Sequence, residues 1–119
     1  MLQRKRVLIA DDRRPTRQGL RALLAFMPDV EWVGEAANGL DAVKLVADRQ
    51  PDVVLMDVHM PVMDGLEATR RIKSQRPEVK VIILTMYAEY QDEALAAGAD
   101  IFLIKGGPSE GLRSAICNA

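Results

Sequence analysis

The segment Val53-Val54-Leu55-Met56-Asp57 is a short, β-branched, apolar run that ends in a carboxylate. A run of this kind is typical of a strand that is buried on both faces of a parallel sheet. Three further runs have the same character: Val7-Leu8-Ile9-Ala10, Val81-Ile82-Ile83-Leu84 and Ile101-Phe102-Leu103-Ile104. The sequence therefore predicts an open parallel sheet whose strands are covered on both sides.

The size and composition of the chain indicate one globular domain that spans residues 1–119. A net charge of −1 gives no general reason to bind nucleic acid or an anionic membrane. No apolar stretch approaches the ~20 residues that cross a bilayer, and the first apolar run is too short for a signal peptide. The single cysteine, Cys117, allows no internal disulfide, so we expect a cytoplasmic protein.

Helical segments alternate with the strands. Turn and cap residues precede them: Pro15, Asn38, Asp64 and Pro108 start four helices, and Ala88–Ala97 forms another that ends at Gly98. Asp64 and Glu67 resemble a capping box. The more polar run 32–36 suits an edge strand. This alternation predicts an α/β, flavodoxin-like (βα)5 three-layer sandwich with strand order 2-1-3-4-5.

Polar residues stand where four strands end: Asp11, Asp12, Asp57, Thr85 and Lys105. Ligands of open parallel sheets bind outside the carboxyl ends of the strands, so we expect these side chains to share one crevice. Two carboxylates about 4 Å apart repel by roughly 4 kcal/mol at an effective dielectric of 20. A cluster of three therefore takes up a proton or binds a cation, and hard oxygen ligands suit Mg²⁺.

Within this crevice Asp57 is the predicted nucleophile, because a central strand holds it and carboxylates can form acyl phosphates. Lys105 can pair with a phosphate oxygen, and Thr85 can donate a hydrogen bond to another. The backbone carbonyl of His59 can complete a metal shell. Taken singly, each residue has an ordinary role as a turn, a cap or a surface charge. Their joint position at one sheet edge favours a phosphoryl and metal site.

The arginines near the acid pair, Arg13, Arg14, Arg17 and Arg21, are interpreted as a solvated helix face, and Met86 as packing. Gly106-Gly107 loosens the loop after Lys105.

The chain resembles a response-regulator receiver domain of two-component signalling, of the LuxR/NarL type. The resemblance rests on 7–12, 57–65, 84–85 and 102–105, with Val33–Gly39 and Gly65–Arg70 indicating the subfamily. It implies that Asp57 accepts a phosphoryl group from a sensor histidine kinase. Asp11 or Asp12, Asp57 and the His59 carbonyl would hold Mg²⁺, Thr85 and Lys105 would respond to the phosphate, and Phe102 would be the aromatic switch residue.

The resemblance also implies partners. Proteins of this type usually carry a C-terminal helix-turn-helix DNA-binding domain, for which these 119 residues leave no room, so we favour an excised receiver. The receiver itself would contact neither nucleic acid nor membrane. It would switch the face formed by the fourth helix, fifth strand and fifth helix, and could form a homodimer on phosphorylation. It would act on its own phosphoryl group and on no external metabolite.

Two other classes of protein share parts of this pattern. A small Mg²⁺-dependent phosphatase with an aspartyl nucleophile would need an Asp-x-Asp first strand, whereas Arg13 follows Asp12 here. A flavodoxin-like cofactor binder would need a Ser/Thr/Gly-rich phosphate loop after the first strand, where this chain has Asp11-Asp12-Arg13-Arg14.

Overall fold

Five parallel strands form one sheet in the order β2-β1-β3-β4-β5, as the sequence predicts. The computed structural model describes residues 3–118. The strands are β1 Lys5–Ala10, β2 Val30–Ala36, β3 Val53–Met56, β4 Lys80–Thr85 and β5 Ile101–Ile104. The helices are α1 Arg14–Ala25, α2 Gly39–Arg49, α3 Gly65–Gln75, α4 Gln91–Ala96 and α5 Ser109–Cys117.

Two apolar layers sandwich the sheet, because successive strand residues point to opposite faces. On one face Leu8, Val54 and Ile83 pack against α2 and α3. On the other face Ile9, Leu55 and Ile82 pack against α1 and α5. The β1, β3 and β4 runs are buried on both faces, which confirms the three-layer α/β prediction. Within residues 3–118, no helix is both long and apolar enough to cross a bilayer.

The helix ends largely follow the predicted caps. Asn38 Oδ1 accepts from the Asp41 amide at 2.8 Å, and Asp64 Oδ1 accepts from the Glu67 amide at 2.8 Å. The Glu67 carboxylate pairs with Arg70 and Arg71 on its own helix, so the structure shows the Asp64 half of the predicted capping box. Gly98 adopts φ +103°, the left-handed conformation expected of a helix-ending glycine.

Two segments differ from the sequence prediction. The fourth helix begins with a 3-10 turn over Ala88–Tyr90, and only Gln91–Ala96 is α-helical. The β5 strand was expected to be buried on both faces, yet its first three residues are half-buried and Ile104 is 42% exposed. The reason is its position at the edge of the sheet, where α4 is short and the space beside α5 is partly open.

Candidate functional site

The ends of β1 and β3 bring the acidic residues together. The Asp57 amide donates to the Ala10 carbonyl at 2.9 Å, and the Asp11 amide donates to the Ala36 carbonyl at 3.0 Å, so strand pairing fixes both backbones. Asp11 is 1% and Asp57 8% exposed, whereas Asp12 is exposed. One carboxylate oxygen from each of the three lies within 4.8 Å of the others. This acid cluster (Asp11, Asp12 and Asp57) is the arrangement that the strand ends predict, and its oxygens can hold a metal ion.

Lys105 lies against the two buried members of the acid cluster. Its Nζ donates to Asp11 Oδ2 at 2.6 Å and to Asp57 Oδ2 at 3.1 Å. The Lys105 amide donates to the Thr85 carbonyl at 2.8 Å, which anchors the residue beside the end of β4. The ammonium therefore offsets part of the repulsion between two carboxylates that have little access to water.

The other carboxylate oxygens are held by backbone amides. Asp11 Oδ1 accepts from the Arg13 amide at 2.8 Å, and Asp57 Oδ1 accepts from the Val58 amide at 2.8 Å. Each buried aspartate thus has one oxygen fixed by the backbone and the other by Lys105. This fixed geometry favours a preorganised site in which a cation or a phosphoryl group competes with Lys105.

The environment changes the proton affinities of both partners. Burial raises the pKa of Asp57, and the nearby Asp11 charge adds to this, while the hydrogen bond and the charge of Lys105 act in the opposite direction. Burial acts to lower the pKa of Lys105, but hydrogen bonds to Asp11 and Asp57 and their charges together outweigh it, so its pKa is raised. Lys105 therefore stays charged, whereas an ionised Asp57 remains costly without a further cation.

A crevice of about 120 Å³ opens over Asp57. Roughly four water molecules occupy this volume in liquid water. Beside Asp57 it is lined by Asp12, Arg13, His59, Met86, Tyr87 and Lys105. Its walls carry both acidic side chains, Asp12 and Asp57, and cationic ones, Arg13 and Lys105, so the crevice suits a small phosphate-sized anion together with a metal ion.

Thr85 stands at the predicted strand end but does not line this crevice. Its side chain is fully buried, and Oγ1 accepts from the Tyr87 amide at 3.4 Å. Phe102 is half-buried on the next strand and packs against the core on the α2–α3 side. Thr85 Oγ1 is therefore bonded to the loop after β4, and Thr85 lies outside the lining of the crevice.

The sequence assigned His59 only a backbone role, and the structure adds one for its side chain. The exposed His59 ring makes edge-on contacts with Tyr87 and Tyr90, with centroids 5.4 and 5.0 Å away. This contact ties the loop after β3 to the segment that precedes α4. Aromatic residues at positions 87 and 90 were the only signal of it in the sequence, and alone they do not indicate which ring they meet.

Two arginines of α1 make contacts that a solvated helix face does not predict. Arg17 donates from Nη1 to the Asp11 carbonyl at 2.8 Å, and its Nε lies 3.7 Å from Glu35 Oε1. Arg21 lies over the Trp32 ring at 3.8 Å from the centroid. Arg17 thus links the first strand end to β2, and Arg21 covers Trp32 of β2. Arg13, Arg14 and Arg21 are all exposed, as expected of a solvated face.

Comparison with known proteins agrees with this site. Residues 7–117 match the family model of the response regulator receiver domain. The transcriptional regulatory protein YhcZ of Bacillus subtilis is 41% identical over 109 residues, which is 90% of this chain and 51% of YhcZ. The response regulator protein VraR of Staphylococcus aureus is 37% identical over 113 residues, 93% of this chain and 54% of VraR. The chain thus spans about half the length of the curated relatives it matches.

Solved structures give the same result. A LuxR-family two-component response regulator from Aurantimonas sp. SI85-9A1 superposes with a TM-score of 0.91 at 31% identity, covering 98% of this chain and 84% of its own. A LuxR-family DNA-binding response regulator from Staphylococcus aureus superposes with a TM-score of 0.89 at 33% identity, covering 96% of this chain and 97% of its own. Receiver domains generally bind Mg²⁺ at an acidic pocket, and the acid cluster of this chain could hold a metal ion. The chain belongs to the receiver family of two-component response regulators, and its relatives are of the LuxR/NarL type.

Proposed function

We propose that Asp57 accepts a phosphoryl group from a sensor histidine kinase and that this group switches the domain between two conformations. The observation that carries the proposal is the position of Asp57 at a buried strand end, in contact with Lys105 and beside Asp11 and Asp12. Asp11 is also buried, but it does not line the crevice over Asp57. The remaining carboxylates are exposed or half-buried, and Asp64 among them caps α3. Asp57 alone combines a rigid strand end, an open crevice and a neighbouring ammonium.

The chemical step transfers a phosphoryl group from a histidine nitrogen of the kinase to the Asp57 carboxylate. A carboxylate oxygen of Asp57 forms a bond to phosphorus while the phosphorus–nitrogen bond of the donor phosphohistidine breaks. The electron pair of that bond leaves with the imidazole, which is then protonated from solvent. Lys105 is placed to stabilise the negative charge of the phosphoryl oxygens, provided that its ammonium turns from Asp11 toward the transferred group.

Mg²⁺ is the proposed cofactor of this transfer. Carboxylates of Asp11, Asp12 and Asp57 would hold it, with the His59 carbonyl as a further ligand. When bound, it neutralises charge on the phosphoryl oxygens and keeps Asp57 ionised. The fit rests on the donor set: three carboxylates within 4.8 Å of one another are hard oxygen ligands with a single ammonium to balance them.

Thr85 and Phe102 are the proposed switch residues, and Lys105 is the proposed partner of the phosphate. Thr85 Oγ1 would leave the Tyr87 amide and donate to the phosphoryl group, which draws the loop after β4 inward. The half-buried Phe102 can then turn toward the vacated space. The face formed by α4, β5 and α5 changes shape as a result, and an output domain reads that change.

The proposed biological setting follows from the relatives. The receiver unit spans the chain, residues 1–119, and works in the cytoplasm beside a histidine kinase. A helix-turn-helix DNA-binding domain is its proposed output, because a structural relative of the LuxR family is described as DNA-binding. Homodimer formation on phosphorylation would couple the receiver to DNA binding, since dimeric DNA-binding domains read paired half-sites.

The direct test is phosphorylation by acetyl phosphate with Mg²⁺, followed by intact-mass measurement. We expect one added phosphate on the wild type and none on Asp57→Asn. Asp48→Asn removes an exposed carboxylate of α2 and serves as the control that keeps the added mass. A phosphate mass on Asp57→Asn would contradict the assignment of the acceptor.

A further inference from the structure

Arg17 of α1 reaches the backbone of the acid cluster, although it does not line the crevice over Asp57. Its Nη1 donates to the Asp11 carbonyl at 2.8 Å, and its side chain is 14% exposed. The Asp11 carbonyl belongs to the peptide group that joins Asp11 to Asp12. A bond to that carbonyl therefore restrains the turn by which the chain leaves β1 and continues into the acid cluster.

Asp12 is the member of the acid cluster that depends most on such a restraint. Asp11 and Asp57 are buried, and each carboxylate is held by a backbone amide and by Lys105. Asp12 is exposed, and within residues 3–118 its carboxylate makes no hydrogen bond or ion pair. The position of the Asp12 carboxylate is therefore set by the backbone that carries it.

The edge strand β2 anchors both this turn and Arg17. The Ala36 carbonyl accepts from the Asp11 amide at 3.0 Å, and the preceding residue, Glu35, places Oε1 3.7 Å from Arg17 Nε. That separation is too long for a hydrogen bond, so the attraction between Arg17 and Glu35 is one between charges. Strand β2 thus holds Asp11 directly through Ala36 and indirectly through Glu35 and Arg17.

The guanidinium of Arg17 occupies its position at a cost to the folded state. Its Nε is buried and has no hydrogen-bond partner among the described residues. A buried donor without a partner disfavours folding, and such groups are uncommon in folded proteins. They are tolerated where the position of the side chain serves a site. The bond to the Asp11 carbonyl therefore explains this side chain better than a contribution to stability does.

We propose that Arg17 is a positioning residue for the metal ion. Its guanidinium fixes the turn between Asp11 and Asp12, which keeps the Asp12 carboxylate within reach of Mg²⁺, and Glu35 holds the guanidinium in place. The inference rests on the proposed function, because it assigns a further residue to the Mg²⁺ site of that proposal. It extends the site from the ends of β1 and β3 to the edge strand β2.

The sign of the effect distinguishes positioning from electrostatics alone. Arg17 is a cation near the acid cluster, so Coulomb interaction by itself would make Mg²⁺ bind more tightly once Arg17 is neutralised. Loss of positioning has the opposite result, because a displaced Asp12 no longer offers its oxygen to the metal. Residues that orient a metal ligand typically change metal affinity by about 10–100-fold. We therefore expect Arg17→Gln to weaken Mg²⁺ binding by about tenfold.

The first experiment measures the Mg²⁺ dissociation constant by amide NMR titration with MgCl₂ at constant ionic strength. Arg17→Lys keeps the charge and an N–H donor, so it should recover part of the affinity that Arg17→Gln loses. Arg21→Gln is the matched control. It removes an equal charge one turn further along α1, where the guanidinium lies 3.8 Å from the centroid of the Trp32 ring, and should not weaken binding.

Double variants establish the route from Arg17 to the metal. If Arg17 acts through Asp12, Arg17→Gln should weaken binding by less than about twofold in an Asp12→Asn background, because residues of one network are not additive. Glu35→Gln should weaken Mg²⁺ binding by about threefold, as expected of a partly exposed ion pair. Circular dichroism and urea unfolding establish that each variant is folded, and Glu35→Gln decides the test if Arg17→Gln does not fold.

Phosphorylation by acetyl phosphate, followed by intact mass, provides a second readout. In Arg17→Gln the Mg²⁺ concentration for half-maximal rate should rise by the same factor as the dissociation constant. The rate at saturating Mg²⁺ should fall by a smaller factor. A general loss of structure would instead lower the rate at every Mg²⁺ concentration.

Several results would overturn the inference. Mg²⁺ binding that Arg17→Gln leaves unchanged or tightens overturns it alone, as does equal weakening by Arg17→Gln and Arg21→Gln. An effect of Arg17→Gln that persists in full beside Asp12→Asn excludes the route through Asp12. A wild-type chain that binds no Mg²⁺ contradicts the proposed cofactor as well. A wild-type chain that binds Mg²⁺ but gains no phosphate contradicts the proposed acceptor, and the titration alone then decides the role of Arg17.

Discussion

Lys105 binds Asp11 more closely than it binds Asp57: its Nζ lies 2.6 Å from Asp11 Oδ2 and 3.1 Å from Asp57 Oδ2. The ammonium therefore serves the carboxylate that we do not expect to react, and leaves the reactive one less well neutralised. The pKa of Asp57 is raised accordingly, with burial as the main cause. The negative charge of Asp57 therefore stays incompletely neutralised until a cation binds or a phosphoryl group is transferred.

The first prediction is that Asp57→Asn stabilises the metal-free protein at neutral pH. A carboxyl whose pKa is raised on folding favours the folded state below its unfolded pKa and loses that contribution as pH rises through the folded pKa. At pH 7 the ionised Asp57 is therefore a cost, and removing it should add on the order of 1 kcal/mol to the free energy of unfolding. Urea unfolding of both proteins in the presence of EDTA measures this difference in the free energy of unfolding.

The pH dependence of that difference provides the control. As the pH falls toward the ordinary Asp range, wild-type Asp57 becomes protonated and the advantage of Asp57→Asn should shrink. Asp48→Asn should differ little from wild type at either pH. An advantage of Asp57→Asn that grows on acidification would contradict a raised pKa at this site.

The second prediction is that Mg²⁺ stabilises the folded chain through the acid cluster. A ligand that binds only the folded state at ten times its dissociation constant adds about 1.4 kcal/mol to the free energy of unfolding. Thermal melts with millimolar Mg²⁺ should therefore shift upward in the wild type. The Asp11→Ala/Asp12→Ala double variant should lose most of the shift, whereas Asp48→Asn should keep it.

The third prediction concerns backbone strain beside the site. Val62, in the loop between β3 and α3, has φ +69° and is 79% exposed. A β-branched residue in the left-handed region is strained by about 1–3 kcal/mol, while a glycine there adds about 0.4–1 kcal/mol of unfolded-chain entropy. Val62→Gly should therefore raise the free energy of unfolding by about 1 kcal/mol, measured in urea.

The reverse substitution tests the same cause at another position. Gly106 has φ +84°, and a Cβ added there meets no atom within 4 Å. Gly106→Ala should therefore lower the free energy of unfolding by about 1 kcal/mol through strain alone. If Val62→Gly destabilises while Gly106→Ala is neutral, left-handed strain is not what governs these loops.

Particular residues show how far the sequence could predict this structure. The β3 run and the residues at strand ends sufficed for the sheet order and for the meeting of Asp11, Asp12, Asp57 and Lys105. The reason is that the carboxyl ends of neighbouring parallel strands meet at one edge. Residue type and position in a strand therefore carry most of the information about this part of the site.

Other features depend on side-chain orientation and on packing between distant segments. Thr85 occupies the predicted strand end, yet its hydroxyl turns to the Tyr87 amide, a local choice that no periodicity reveals. The His59 ring meets Tyr87 and Tyr90 only because two loops converge. The exposure of β5 and the groove beside α5 arise from what neighbouring helices fail to cover, which an apolar strand pattern cannot indicate.

The fourth prediction is that Gly65→Ala impairs the site. A Cβ at Gly65 would overlap the backbone oxygen of Asp57, because α3 begins in direct contact with the end of β3. Relieving that overlap must displace either Asp57 or the first turn of α3, and we expect a loss of at least about 2 kcal/mol in the free energy of unfolding. Phosphorylation of the folded fraction by acetyl phosphate should be slower, as followed by intact mass.

Gly111→Ala is the matched control for this substitution. It places the same methyl group in the first turn of α5, where a Cβ would meet no atom within 4 Å, and replaces a helical glycine. We expect it to stabilise the chain by about 1 kcal/mol and to leave the rate of phosphorylation unchanged. Equal effects of the two substitutions would show that the contact with Asp57 is not what Gly65 is needed for.

The last prediction concerns how the phosphoryl signal leaves the crevice. Moving a two-state equilibrium from 1:99 to 99:1 requires about 5.5 kcal/mol of differential interaction. Two hydrogen bonds to a charged phosphoryl group, one from Thr85 and one from Lys105, supply about 1.5–3 kcal/mol each and come close to that requirement. Losing the Thr85 bond should therefore leave the active conformation only partly populated.

Thr85→Ala should accordingly still gain a phosphate at Asp57 but switch incompletely. Thr85 is fully buried and Oγ1 holds only the Tyr87 amide at 3.4 Å, so Thr85→Ser, which keeps the hydroxyl, is the matched control. Backbone amide NMR with beryllofluoride and Mg²⁺ measures the outcome as the size of shift changes from Tyr87 to Leu95 and at Phe102. Full wild-type shifts in Thr85→Ala would contradict a switching role for its hydroxyl and leave Lys105 as the donor that transmits the signal.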